Sequence, residues 1–135
     1  MVKCLPAETS SSSNNQVRPN AIVCEIDQLS WGKSLGFGEV KLAETTPNLD
    51  ELGNDLLRLA TLSKNALSNS GLHAAMSFQI HDYRMKIYMS KLFPGTGITA
   101  MLEVLSLELP RSVHQLDAFT TRRSFDDLVH LYDMF

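Results

Sequence analysis

The sequence predicts an α/β domain of the α+β kind: a small mixed sheet of about five strands, with one long helix and a C-terminal helical region packed on it. Three observations carry this. Short β-rich apolar runs bounded by turn residues recur along the chain, one capped stretch repeats leucines at helical spacing, and no segment repeats at a fixed period. With 135 residues a single domain is expected, over residues 18–135, behind a polar tail over residues 1–17 that is too poor in bulky apolar groups to order itself. The 44% apolar and 20% charged content is that of a soluble globular protein. The net charge of −3 excludes a global basic field that would attract nucleic acid, and leaves local patches such as Arg84 with Lys86, or Arg122 with Arg123. No apolar run approaches the ~18 residues of a membrane-spanning helix, and no signal-like segment opens the sequence, so the expected location is intracellular with no membrane partner. Cys4 and Cys24 lack metal-binding spacing and read as reduced thiols, Cys24 as a small core residue.

In chain order, residues 21–27 form an apolar β-rich run. After a turn region over residues 28–36 containing Trp31, residues 37–42 return as its hairpin partner. Thr46-Pro47-Asn48 then opens the longest helix, with Asn48 as N-cap, Glu51 three residues on as in a capping box, and Gly71 as the stop. Leu52, Leu56, Leu59, Ala60, Ser63 and Leu67 share one face of it. Strands over residues 76–80 and 84–89 flank the turn His81-Asp82-Tyr83. A further strand over residues 98–109 carries apolar groups on both parities and so has cover on both faces. Ser112 is placed to cap a C-terminal helical region broken near residues 120–123, with Leu116, Phe119, Leu128, Leu131 and Phe135 spaced for burial.

Chemistry concentrates in Gly36-Phe37-Gly38-Glu39-Val40-Lys41. Strand residues i and i+2 project to one side, so Glu39 and Lys41 point together while Val40 points away. The glycines permit close approach of a neighbour or a ligand. Cleavage of a phosphodiester uses a hard cation held by carboxylate oxygens and a positive group near the developing charge, and Glu-x-Lys supplies one of each. The same pair also serves as an ion pair on a strand. His81 beside Asp82 lacks a nucleophile at a useful spacing, and Lys64 on the long helix reads as a surface lysine.

Pro19-Asn20 at a strand start, a second strand with Glu39-x-Lys41 and then a long helix together resemble the PD-(D/E)XK nuclease-like superfamily, over residues 18–109. The Gly-Phe-Gly-Glu-Val-Lys wording is similar to that of a group of fungal proteins related to it. The resemblance implies a restriction-endonuclease-like fold and Mg²⁺-dependent hydrolysis of DNA, with Glu39, Asn20 and Asp27 holding the metal and Lys41 orienting the attacking water. Gln79, on the strand expected beside the Glu-x-Lys strand, is the candidate substrate contact. The chain departs from the family at Asn20, where a neutral amide stands for the metal-binding aspartate, and in the short polar segment that precedes Pro19 where a helix and strand are expected. Glu25 or Asp27 replaces that carboxylate only if the hairpin register brings it to Glu39. The alternative is an inactive relative that acts as a binding or protein-interaction module. A third reading is a subunit of a larger assembly, partnered or self-associated through an open sheet edge or the C-terminal helix.

Overall fold

The computed structural model describes residues 2–4, 18–28, 30–42 and 48–134. Six strands form one mixed sheet in chain order: β1 Val2–Cys4, β2 Ala21–Asp27, β3 Ser30–Lys41, β4 Ala75–His81, β5 Arg84–Leu92 and β6 Thr99–Glu108. Every neighbouring pair is antiparallel except β3 and β4, which run parallel because α1, Leu49–Ser70, carries the chain back between them. This is the mixed sheet with one long helix that the sequence predicts, with a sixth strand added. That strand comes from Val2–Cys4, inside the segment expected to be a tail, while residues 5–17 of the tail and Thr46 and Pro47 lie outside the described residues.

Both ends of α1 form as the sequence dictates. The Asn48 side chain accepts a hydrogen bond from the Glu51 amide at 3.4 Å, and Gly71 closes the helix in the left-handed conformation at φ 62°. Leu59, Ser63 and Leu67 of the expected stripe are buried, with Asp55 and Ala66 joining them. They pack on the sheet face that carries Phe37, where Ile22, Leu62, Leu72 and Met101 complete the cluster. Apolar burial of this kind, worth roughly 25 cal/mol per Å², is joined by a buried contact between the hydroxyls of Ser63 and Ser77 at 2.7 Å. The opposite face holds Ala21, Phe78 and Ile87, flanked by Val104, Leu105 and Leu131. β6 thus contributes to both faces, and Leu131 of the C-terminal helix α3, Arg122–Met134, docks on the second.

Two expectations are corrected. Residues 30–36 are not a turn region: β3 starts at Ser30, and the reversal is confined to a tight turn where Gln28 takes φ 46°. Serine and glycine lower the intrinsic β preference of that stretch, but pairing with β2, through two register shifts, overrides it. Trp31 accordingly stands on a strand opposite Ile26, and both are about half exposed. Ser112 occupies the N-cap position of a 3₁₀ turn, Val113–Gln115, but its side chain makes no capping bond. The Gln115 side chain instead accepts from the Arg111 amide at 2.8 Å. A four-residue helix α2, Leu116–Phe119, follows, and the break before α3 falls where the sequence places it. Cys24 is buried, as expected, whereas the side chains of Asp27, Phe119, Arg122, Arg123 and Phe135 lie outside the described residues.

Candidate functional site

β3 turns Phe37, Glu39 and Lys41 toward α1, and their parallel partners on β4, Ser77, Gln79 and His81, face the same way. The intervening Gly36 and Gly38 face the opposite side. A Cβ on Gly38 would collide with the Phe78 ring, and one on Gly36 with the Met76 carbonyl, so close approach of β4 requires both glycines.

α1 meets the pair with charges of its own. Glu51, Asp55 and Arg58 recur at i, i+4 and i+7, which places them along one helix flank above β3. Arg58 Nη1 donates to Glu39 Oε1 at 3.3 Å and lies 3.7 Å from Asp55 Oδ1. Lys41 Nζ donates to Glu51 Oε2 and lies 3.3 Å from Asp55 Oδ2, an ion-pair contact that leaves Oδ2 without a hydrogen bond of good geometry. Glu39 is only 2% exposed. Burial pushes its carboxyl above the ordinary range, and the Arg58 guanidinium opposes the rise. The Lys41–Glu51 pair raises the lysine and lowers the glutamate. Glu39 and Lys41 therefore share a face, as the sequence predicts, and each finds its counter-charge on α1.

The other expected site residues do not converge there. Asp27 is six residues along β2 from Ala21, whose partner is Gly38, so about 20 Å of strand separates it from the level of Glu39. Glu25 is exposed and about 13 Å along the same strand. The register therefore does not deliver either replacement carboxylate. Asn20 lies at the right end of the hairpin, but its amide nitrogen donates to the Val40 carbonyl at 3.0 Å and closes the strand pair. Gln79 is nearly buried and donates to the Leu52 carbonyl at 3.0 Å, which ties α1 to β4. Lys64 is exposed, and Asp82 pairs with Arg111 at 3.6 Å.

Asp55 and Arg58 are the residues that sequence reasoning passed over. Their i, i+3 spacing is visible, but which flank of a helix meets the sheet depends on packing that spacing does not encode. Mg²⁺ takes near-octahedral oxygen coordination at close range. Among the described residues no three His, Cys, Asp or Glu side chains are grouped to hold a metal ion. Of the donor set implied by the resemblance, Asn20 is engaged by the Val40 carbonyl, and the register puts the Asp27 backbone about 20 Å of strand from the level of Glu39.

The chain is thus a small α+β domain with a partly buried charge cluster between its long helix and its parallel strand pair. Compared with protein-family models, with curated proteins and with solved structures, it matches none. No helix among the described residues is long and apolar enough to cross a membrane.

Proposed function

We propose that this domain is a binding module on a PD-(D/E)XK-like scaffold, in which the Glu-x-Lys strand seats α1 across the sheet and does not serve Mg²⁺-dependent hydrolysis of DNA. The observation that supports this reading is the pairing of charges across the two surfaces. Glu39 is buried against Arg58, and Lys41 is held by Glu51 and Asp55. A catalytic lysine and a metal-binding glutamate need open access to water and phosphate, whereas charges matched across an interface fix orientation. The separation of Asp27 from Glu39 supports the same conclusion from the metal side.

Incubation of supercoiled plasmid with the protein and Mg²⁺ or Mn²⁺ tests the reading. The expected result is no metal-dependent nicking and no rise in melting temperature on adding either cation, since a ligand bound to the native state raises its apparent stability. Nicking that requires the metal and vanishes in both Glu39→Ala and Lys41→Ala would restore the nuclease reading.

A further inference from the structure

On the flank of α1 away from Glu39, the sheet is not matched in the same way. β4 and β5 pair His81 with Arg84, Gln79 with Lys86 and Ser77 with Tyr88, so Arg84, Lys86 and Tyr88 stand in a row on the face that α1 partly covers. With a wall formed by Leu52, Gly53 and Leu56, they line a cleft of about 500 Å³, within the size range of small-ligand sites.

Two independent features of this cleft point to a ligand. The first is charge. Arg84 and Lys86 are like charges at alternate positions of one strand, in a chain whose net charge is −3. Lys86 pairs with Glu103 at 2.9 Å, and the other charged residues lining the cleft, Arg111, Asp82 and Glu108, are engaged with one another, Arg111 lying 3.6 Å from each carboxylate. Arg84 is exposed and has no ion pair among the described residues. An anion seated beside Arg84 would supply the counter-charge that no described residue gives it.

The second is Gly53. Glycine inside a helix is less stable than alanine by roughly 0.5–1 kcal/mol. Unlike Gly36 and Gly38, Gly53 accommodates no neighbour, since a Cβ built on it would meet nothing within 4 Å. The space it leaves opens into the cleft.

We propose that this cleft binds a small amphipathic anion, a phosphate or carboxylate head on a flat apolar body. The head sits at Arg84 beside Lys86. The body lies against Gly53, between Leu52 and Leu56 and the Tyr88 ring. The inference rests on the reading of this chain as a binding domain and supplies the ligand class for it.

Phenyl phosphate and benzoate are suitable probes, with inorganic phosphate and phenol as controls, read by amide chemical shifts and melting temperature. Expected are saturable shifts centred on residues 52–56 and 84–88 with one or both amphipathic anions, weaker ones with phosphate alone, and none with phenol. A response to phenyl phosphate alone assigns a phosphate head, and to benzoate alone a carboxylate head. Arg84→Ala should weaken binding about tenfold. Gly53→Ala should raise the melting temperature of the protein alone while weakening the probe severalfold. Silence of both anions at millimolar concentration, or binding unchanged in both variants, would overturn the proposal. Neither result bears on plasmid nicking, so the two readings fail separately.

Discussion

The two flanks of α1 contain the same kinds of side chain and use them in opposite ways. Over β3, Glu39 and Lys41 meet Asp55, Glu51 and Arg58, and five charges close on one another with Glu39 almost fully buried. Over β5, Arg84 and Lys86 have the same i, i+2 spacing but face a helix wall of Leu52, Gly53 and Leu56 that offers no counter-charge. Two charged residues on alternate strand positions do not by themselves make a site. What the facing helix presents decides whether they become an internal fastening or a surface that a ligand can use.

The comparison depends on α1 being held in place, so its largest test is the residue that both flanks share. Leu59 is fully buried beneath the helix. Leu59→Ala should lower the unfolding free energy by about 2–5 kcal/mol, read from the urea midpoint, and should weaken any ligand response in the cleft as well.

A smaller effect separates the flanks. Arg58→Ala leaves the buried Glu39 without its hydrogen-bonded cation and should destabilise by about 1–3 kcal/mol. Glu103→Ala removes the counter-charge of a pair in which both side chains are about 40% exposed, and should change stability by no more than about 1 kcal/mol. Equal losses from the two substitutions would mean that the β3 flank is no more tightly closed than the β5 flank. Gly53→Ala, on the open side, should stabilise by about 0.5–1 kcal/mol.

The smallest signal is in pH, and its sign differs between two acids of one cluster. Glu39 is raised above its ordinary 4.5 by burial, so the native state holds the proton more tightly, and its contribution to stability falls as pH rises from 4.5 through the folded value. Glu51 is lowered by Lys41, so its contribution is present above 4.5 and is lost as pH falls through the folded value. Urea midpoints against pH should lose the falling limb in Glu39→Gln and the rising limb in Glu51→Gln.

Much of the scaffold was legible in the residues themselves. Asn48 and Gly71 bound α1 by local chemistry, the 2-residue alternation turned Glu39 and Lys41 to one face, and Asp82 with Tyr83 marked the β4–β5 turn. What escaped depends on pairing at a distance. Ser30 to Leu35 joins a strand because β2 lies beside it, and the two bulges in that hairpin set a register that no alternation pattern specifies. The site was half legible for the same reason. The strand half could be read from spacing, while the helix half, Asp55 and Arg58, required knowing how α1 is rotated about its axis. That rotation is settled by Leu59, Ser63 and Ala66 packing against Phe37 and Ser77.

The most direct measurement is a double-mutant cycle on Glu39 and Arg58, run by urea denaturation with and without Mg²⁺. Partners in direct contact are expected to couple by about 0.5–3 kcal/mol. A coupling of that size, the same in both conditions, is the predicted result. A coupling near zero, or one that disappears when Mg²⁺ is added while the wild-type protein becomes more stable, would show that Glu39 is held for a metal and not for the helix.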